Sequence, residues 1–273
     1  MSDTIRSEKV VLITGASSGL GYAMAEHLLE MGHIVIGTSR KSCGDRGRLR
    51  MLVLDLTNGD SVQNAVQEAI SIAGRIDVLV NNAGVGLCGA VEDTSMAEAH
   101  WQMETNFFGP ARMIRAVLPH MRRQGGGRII TITSLAGIAA LPYQAYYSAS
   151  KSALEGLNEA LRLELAGSNI DATTVSPGDF ATGFTAARVF ASGAYSAVHE
   201  RQLRTTLAIY EHNEREGASP QRVADLVGRL VMQPKVGVRY TVGSARQRLG
   251  IVLKTLLPAA VFEQIMKATY AIH

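Results

Sequence analysis

Short apolar runs alternate with longer helical stretches along almost the whole chain. The apolar runs predict strands at 9–14, 33–38, 50–55, 76–81, 128–133, 170–176 and 238–242. Patterns of helical length lie between them, at 19–30, 61–73, 96–122, 147–166 and 219–232. The strand segments are rich in Val and Ile without polar alternation, which is typical of strands buried on both faces. The alternation therefore predicts an α/β fold, a doubly wound parallel sheet with helices on both faces.

We expect a single domain over residues 1–273, because no repeat, linker or low-complexity segment divides the chain. The segment between the second and third strands is too short for a full crossover helix. The interval 178–217 has no evident strand and a weak helical signal, and such long intervals are usually lids or binding loops. At 245–273 an apolar stripe of helical spacing, with Pro258 starting a second helix, predicts a C-terminal helical tail.

Composition excludes several classes of protein. Hydrophobic residues make up 47% of the chain and charged residues 19%, so a core can form and disorder is excluded. The net charge is +3 and the cations are scattered, so nucleic acid is not an expected partner. Cys43 and Cys88 lie far apart and the histidines show no ligand spacing, which predicts no disulfide scaffold and no metal. With no signal peptide and no membrane span, we expect a cytoplasmic protein.

A glycine-rich turn, TGASSGLG at 14–21, follows the first predicted strand and runs into a helix. Glycines at such a turn let the backbone approach a phosphate, and the helix N-terminus offers unpaired N–H groups. Three glycines alone are a weak signal, but their position between the first strand and the first helix strengthens it. The turn therefore predicts a dinucleotide site.

The end of the second strand indicates which dinucleotide binds. NAD sites usually place an acid there, whereas this chain has Ser39, Arg40 and Lys41. Two cations and a hydroxyl suit the 2′-phosphate on the adenosine ribose of NADP, because the planar guanidinium of arginine offers several N–H donors to a phosphate. A solvated basic loop is the alternative interpretation. We expect NADP, with NAD as the weaker candidate.

Tyr147 and Lys151 are four residues apart, on one face of a predicted helix. The pKa of a free phenol is about 10, too high for acid–base work at neutral pH, and a nearby lysine cation is expected to lower it. Ser134, at the end of the fifth strand, can hydrogen-bond the reacting oxygen. The alternative is a surface lysine beside a half-buried tyrosine. Tyr143 and Tyr146 lack a lysine four residues later.

Taken in order, these motifs resemble the short-chain dehydrogenase/reductase family from about residue 9 to residue 242. The matching segments are the glycine turn, NNAG at 81–84, the Ser–Tyr–Lys spacing, and Pro177-Gly178 followed by Thr182. The resemblance implies a Rossmann-type fold that interconverts alcohols and carbonyls with a nicotinamide cofactor. The C-terminal part is similar to the retinol and hydroxysteroid branch, and we expect a homodimer through the fourth and fifth helices.

The resemblance also implies roles for individual residues. The implied catalytic residues are Asn106, Ser134, Tyr147 and Lys151. The expected cofactor-binding residues are Gly15, Ser17, Ser18, Gly19, Leu20, Gly21, Ser39, Arg40, Asp55, Leu56, Asn82, Ala83, Gly84, Tyr147, Lys151, Pro177, Gly178 and Thr182. Among these, Asp55 and Leu56 are implied to border the adenine, and Thr182 to hold the carboxamide.

The interval 178–217 occupies the position of the family's substrate loop and is rich in aromatic residues. The expected substrate contacts are Ser134, Leu141, Tyr143, Tyr147, Phe180 and Phe184. Such a lining favours a largely apolar ligand with one polar reacting end, hence a hydrophobic ketone, aldehyde or alcohol. Packing of these aromatics against their own scaffold is the alternative. A catalytically silent nucleotide sensor is the alternative function, and the intact catalytic set argues against it.

Two further expectations concern a helix and the tail. Pro110 has no N–H to bond the carbonyl of Asn106, so the fourth helix must open there. The resemblance implies that the freed carbonyl holds a water of a proton relay to Lys151 and Tyr147; a simple helix boundary at Pro110 is the alternative. For the tail we expect docking on the domain or on a partner subunit, with weak membrane-surface contact as the alternative.

Overall fold

The structure, a computed structural model, describes residues 8–183 and 187–272. Its strands are β1 (Val10–Ile13), β2 (Ile34–Ser39), β3 (Arg50–Val53), β4 (Val78–Asn81), β5 (Leu87–Cys88), β6 (Gly127–Ile132), β7 (Ile170–Pro177), β8 (Val189–Phe190) and β9 (Arg239–Val242). Seven of them form one parallel sheet in the order β3-β2-β1-β4-β6-β7-β9. All seven predicted strands are confirmed, with ends shifted by a residue or two.

Helices cover both faces of this sheet, as predicted. They are α1 (Gly19–Glu30), α2 (Gly59–Ala73), α3 (Met96–Met103), α4 (Gly109–Arg123), α5 (Ala145–Glu164), α6 (Glu200–Arg215), α7 (Gln221–Met232), α8 (Ala245–Leu256) and α9 (Ala259–Thr269). On one face, apolar residues of α2, α4 and α5 form a buried cluster with the sheet. On the other face, α1 and α7 form a second one. Burial on both faces explains the unbroken Val and Ile runs.

The helix ends show how local sequence sets these boundaries. Asn58 caps α2 by accepting a 2.9 Å hydrogen bond from the Ser61 N–H, and Ser95 forms a capping box with Glu98 on α3. Such caps satisfy N–H groups that have no partner inside the helix. At α1 the preceding Ser18 makes no side-chain cap, and the first turn contains no acidic residue. The N-terminus of α1 therefore keeps donors for another group.

The connection between β2 and β3 contains no helix at all, whereas the short segment predicted a truncated one. It turns back through paired hydrogen bonds between Arg46 and Leu49. Asp45 fastens the turn by accepting a 2.9 Å hydrogen bond from the Met51 N–H and by pairing with Arg50. The turn therefore brings its basic residues back towards the first helix.

The predicted helix at 96–122 is interrupted. Between α3 and α4, residues Glu104–Phe108 form a π-helical turn in which the Gly109 N–H bonds the carbonyl of Glu104. Pro110 then stands in the first turn of α4. Because proline lacks an N–H and crowds the carbonyl four residues earlier, the chain widens at this point. The expected opening of the helix at Pro110 is confirmed.

The interval 178–217 contains more structure than the sequence indicated. The strands β5 and β8 form a small parallel sheet, and α6 buries Leu203, Leu207 and Tyr210. These three residues follow helical spacing, so the pattern was present but was hidden by the polar residues around it. The prediction of a long segment without regular structure is therefore wrong at β8 and over α6.

The tail forms α8 and α9, with Pro258 directly before α9, as predicted. It docks on the domain, since Gln247 donates a 2.6 Å hydrogen bond to Asp179. The ring of Tyr270, just after α9, lies 5.1 Å from the ring of Tyr210. Within the described residues, the structure contains no helix that is both long and apolar enough to cross a membrane.

Candidate active site

The carboxyl ends of the central strands open into a cleft of about 640 Å³. Most of the residues singled out from the sequence line it. They are Gly15, Ser17, Ser18, Gly19, Leu20, Gly21, Ser39, Arg40, Asp55, Leu56, Asn82, Ala83, Gly84, Ser134, Leu141, Tyr147, Lys151, Pro177, Gly178, Phe180 and Thr182. The fold therefore brings the glycine turn and the Ser–Tyr–Lys set to one site.

The glycine turn is held against the end of β4. The side-chain amide of Asn82 donates hydrogen bonds of 2.9 and 3.1 Å to the carbonyls of Thr14 and Gly15. A Cβ at Gly21 would lie 2.1 Å from the carbonyl oxygen of Gly15, so no side chain fits there. Gly15 itself has φ +69°, a conformation that glycine adopts readily. These contacts fix the turn where the backbone of α1 begins.

The N-terminus of α1 fits a dinucleotide phosphate. Its first N–H groups face the cleft without a side-chain cap, and the helix dipole favours negative charge there. Across from it, the Cβ of Thr182 lies 3.8 Å from the position that a Cβ at Gly19 would take. The start of α1 therefore lies close to Thr182.

The other end of this phosphate site is basic. Arg40 and Ser39 line the cleft beside Asp55, whose pKa is lowered by hydrogen bonds from Thr57 and, less strongly, by the charge of Arg40. Arg46 also reaches this end, with its guanidinium donating a 2.9 Å hydrogen bond to the carbonyl of Ser17. Sequence reasoning missed Arg46, because only the turn between β2 and β3 brings it to the glycine turn.

Tyr147 and Ser134 form the reacting end of the cleft. Burial raises the pKa of Tyr147 to about 12, while the hydrogen bond with Ser134 acts in the opposite direction. The net shift is upward because the loss of solvation is the largest cause, and Lys151, which was expected to lower this pKa, is not among the groups that shift it. Of the three neighbouring tyrosines, only Tyr147 lines the cleft.

Lys151 lies beside this phenol and is itself buried. Its ammonium nitrogen lies 5.9 Å from the centre of the Tyr147 ring and donates a 3.0 Å hydrogen bond to the carbonyl of Ile132. Burial lowers the pKa of Lys151 to about 8, and the negative charge of Glu155, one turn further along α5, opposes that shift. The lysine therefore loses its charge closer to neutral pH than an exposed lysine does.

Asn106 does not line the cleft, in contrast to the other three residues implied to be catalytic. Its buried side chain accepts a 2.8 Å hydrogen bond from the Val85 N–H and donates one of 2.8 Å to the Val85 carbonyl. A Cβ added at Gly84 would lie 3.4 Å from Asn106 Oδ1 and 3.5 Å from Lys151 Nζ. Gly84 therefore stands close to both side chains. Asn106 therefore holds the turn after β4 against the lysine.

The substrate end is only partly as expected. Leu141 and Phe180 line the cleft, whereas Tyr143 is not among the lining residues and packs edge-on against His199. Tyr143 turns away because it adopts φ +57° before α5 begins. Phe184 lies outside the described residues.

Several residues of the substrate end were missed by sequence reasoning. They are Trp101, Gln144, Asp179, Tyr210 and Glu214. Tyr210 and Glu214 come from α6, the helix that the sequence did not predict, and Asp179 directly follows a recognised motif. Within the described residues, no group of three or more His, Cys, Asp or Glu side chains is arranged to hold a metal ion.

Comparisons with known proteins identify the family of this chain. A family model described as short chain dehydrogenase matches residues 9–191. A relative from Bacteroides thetaiotaomicron named 3-ketodihydrosphingosine reductase is 44% identical over 267 residues, covering 97% of this chain and 99% of the relative. The chain therefore belongs to the short-chain dehydrogenase family, whose members use nicotinamide cofactors, and it is an oxidoreductase acting on CH–OH or keto groups.

Solved structures give the same result. The crystal structure of a short-chain dehydrogenase from Streptomyces avermitilis superposes with a TM-score of 0.83 at 32% identity, covering 98% of this chain and all 100% of that one. The 3-ketoacyl-(acyl-carrier-protein) reductase of Brucella melitensis, solved with NADH, has a TM-score of 0.73 at 25% identity, covering 88% and 98%. The Rossmann-type fold predicted from the sequence is confirmed.

Proposed function

We propose that this protein uses NADPH to reduce a ketone or aldehyde on a long hydrophobic molecule to its alcohol, and can run the reverse reaction with NADP⁺. The observation that carries the proposal is the hydrogen-bonded pair of Ser134 and Tyr147, which shares one cleft with the glycine turn at the start of α1. A bound nicotinamide supplies or accepts the hydride. The chain itself must hold the carbonyl oxygen and deliver a proton to it.

Tyr147 is the proton donor of this proposal. A pKa of about 12 keeps its phenol protonated at neutral pH, which suits donation to an oxygen that becomes an alkoxide. Ser134 holds the same oxygen through its hydroxyl. The ammonium of Lys151 lies beside the phenol and stabilises the negative charge left after the proton moves. The raised pKa therefore favours the reductive direction.

The basic end of the phosphate site supports NADP over NAD. Arg40 lines the cleft where the adenosine ribose is expected, and Arg46 is bonded to the backbone of Ser17 nearby. Arg40 can bind a 2′-phosphate there through charge-assisted hydrogen bonds, and Arg46 adds a second positive charge near the glycine turn. Asp55 stands at the same end, but Thr57 already occupies its Oδ1 through a backbone and a hydroxyl hydrogen bond.

The substrate end supports a long apolar molecule. Trp101, Leu141 and Val189 line it, and the small sheet of β5 and β8 forms part of its wall. Pockets of this kind bind ligands that are mostly apolar with a few polar groups. The name of the relative from Bacteroides thetaiotaomicron makes 3-ketodihydrosphingosine, a long-chain ketone, the first compound to test.

The test is a panel of hydrophobic ketones and aldehydes, including 3-ketodihydrosphingosine, assayed with NADPH and with NADH by the absorbance of the reduced cofactor. We expect the highest kcat/KM with NADPH and the long-chain ketone. Short, hydrophilic ketones serve as controls. If the short ketones are turned over better, the proposed substrate class is wrong. If NADH is the better cofactor, the proposed preference for NADPH is wrong.

The outer face of the tail bears on the expected partners. Leu249, Val252 and Leu256 follow helical spacing on α8 and are exposed, and Arg246 and Arg248 flank them. An apolar stripe with basic flanks suits an anionic membrane surface, so we keep the weak surface contact as a proposal beside the observed docking on the domain. Co-sedimentation with anionic and neutral vesicles tests it. The homodimer and the cytoplasmic location stay predictions.

A further inference from the structure

Three charged side chains meet at the substrate end of the cleft, where an apolar ligand alone would not need them. Asp179 and Glu214 line the cleft, and Arg188 lies behind them. The Arg188 guanidinium donates a 2.7 Å hydrogen bond to Glu214. The central carbon of this guanidinium lies 5.8 Å from the centre of the Tyr210 ring. The mechanism proposed above assigns no role to any of these three charges.

The charges in this cluster do not balance. Glu214 is paired with Arg188, whereas the side-chain partner of Asp179 is the neutral amide of Gln247, at 2.6 Å. In the described part of the chain, no cation forms an ion pair with Asp179. Burial raises the pKa of Asp179 to about 6, and the charge of Glu214 raises it further, yet at neutral pH the carboxylate is still mostly ionised. The cluster therefore carries two carboxylates and one guanidinium, an excess of one negative charge that faces the cleft.

Arg188 holds Glu214 in place at this end of the cleft. It is only 7% exposed, and its guanidinium donates a 2.7 Å hydrogen bond to Glu214. Its unused Nε–H is a donor and cannot pair with a cation. The group in the cluster that a cationic ligand would match is therefore the carboxylate of Asp179.

The cluster lies within electrostatic reach of the reacting end. Asp179 and Glu214 both raise the pKa of Tyr147, and Arg188 lowers it. Asp179, Glu214 and Tyr147 also line the same cleft. A positive group held by the carboxylates would therefore share that cleft with the carbonyl that Tyr147 protonates.

We propose that Asp179 and Glu214 bind an ammonium group carried by the substrate next to its ketone, so that the substrate class is a long-chain 2-amino ketone. This inference rests on the proposed function, since it concerns the same cleft. The ammonium restores the charge balance of the cluster and orients the carbonyl towards Tyr147.

The test compares three long-chain 3-ketones of equal length that carry an amino group, a hydroxyl or hydrogen on the adjacent carbon. The variants are Asp179→Asn and Glu214→Gln, and Glu216→Gln is the matched control, since Glu216 is exposed and lies two residues from Glu214. For the wild type we expect kcat/KM to favour the amino ketone by at least about tenfold, the effect of one charge-assisted hydrogen bond. Each cluster variant should lose most of that preference, and the control should keep it.

Binding gives a second readout. Trp101 is the only tryptophan of the chain and lines the cleft, so its fluorescence reports occupancy. A long-chain 2-amino alcohol should bind the wild type at least about tenfold more tightly than the matching alcohol without nitrogen, and Asp179→Asn should remove the difference. This comparison still decides the question if Glu214→Gln does not fold.

The outcomes separate the two proposals. If the wild type reduces none of the three ketones, the proposed function fails. If it reduces them all with equal kcat/KM, or if the hydroxy ketone equals the amino ketone, the function stands and the ammonium site is wrong. Unchanged selectivity in both cluster variants would likewise overturn the site.

Discussion

The ammonium nitrogen of Lys151 lies 3.0 Å from the carbonyl oxygen of Ile132, the last residue of β6. This hydrogen bond crosses from α5 to the sheet and fixes the lysine at the point where Ser134 begins the next turn. Burial at the same place lowers the pKa of Lys151 to about 8. The buried site beside β6 therefore both holds the lysine in position and lowers its pKa.

The first prediction is a pH dependence. Lys151 is charged below its pKa and neutral above it, so kcat/KM for reduction should fall as the pH rises through about 8. The charge of Glu155 raises that pKa, so Glu155→Gln should move the decline to lower pH. Glu159→Gln is the control, because Glu159 also pairs with Arg239 but is exposed. A decline at the same pH in all three proteins would contradict the account.

The second prediction concerns cofactor choice. Arg40→Asp should invert the preference for NADPH, because a 2′-phosphate loses a charge-assisted partner, a loss of about 1.5–3 kcal/mol, and meets a like charge. Arg46→Gln should weaken the preference in the same direction. Arg48→Gln is the control, since Arg48 lies in the same turn but bonds the carbonyl of Leu29. The measurement is the ratio of kcat/KM for the two cofactors, and a wild type that prefers NADH would refute the basic-pocket assignment.

The third prediction concerns the π-helical turn before α4. We expect Pro110→Ala to let the helix close, so that the carbonyl of Asn106 is taken up by a backbone bond and no longer serves a proton relay to Lys151. The kcat should fall most where reprotonation limits turnover, and its pH profile should shift with little change in cofactor affinity. Pro119→Ala, a second proline inside α4, is the control. If both variants keep the wild-type profile, Pro110 is only a helix boundary.

The fourth prediction concerns stability. The pKa of Asp179 is raised from 3.8 to about 6 in the folded protein, so folding favours its protonated form. This contribution is fully present below about pH 4 and is lost as the pH rises through 6. Asp179→Asn keeps an acceptor for Gln247 and should stabilise the protein by roughly 2–3 kcal/mol at pH 7. Denaturant unfolding at several pH values measures it; a difference that does not shrink towards pH 4 would contradict the cause given.

The strands and the cleft could be predicted because local signals determine them. The Val and Ile runs of β1, β4 and β6 are buried on both faces, and the spacing of Tyr147 and Lys151 is a property of one helix. The parallel order of the sheet then brings strand ends together. The residues that lie at those ends, such as Ser134 and the glycine turn, follow from the fold.

What was missed depends on contacts between distant segments. Helix α6 is polar around Leu203, Leu207 and Tyr210, so its pattern becomes evident only when it packs on the small sheet. Glu214 joins the cleft through that packing, and Arg46 reaches Ser17 through a turn of the β2–β3 connection. The pKa of Tyr147 depends on how deeply it is buried, which helical spacing does not reveal.

The central claim is that the phenol of Tyr147 protonates the substrate oxygen. The most direct measurement is the rate of NADPH oxidation with the long-chain ketone by the wild type, Tyr147→Phe and Tyr146→Phe, with cofactor affinity measured in parallel. Tyr147→Phe keeps the ring and removes the acid, so kcat should fall by about 10²–10⁴ with cofactor binding unchanged. Tyr146→Phe, one residue earlier on α5 but outside the cleft, should retain activity. Near-normal turnover in Tyr147→Phe, with Tyr146→Phe inactive, would contradict the claim.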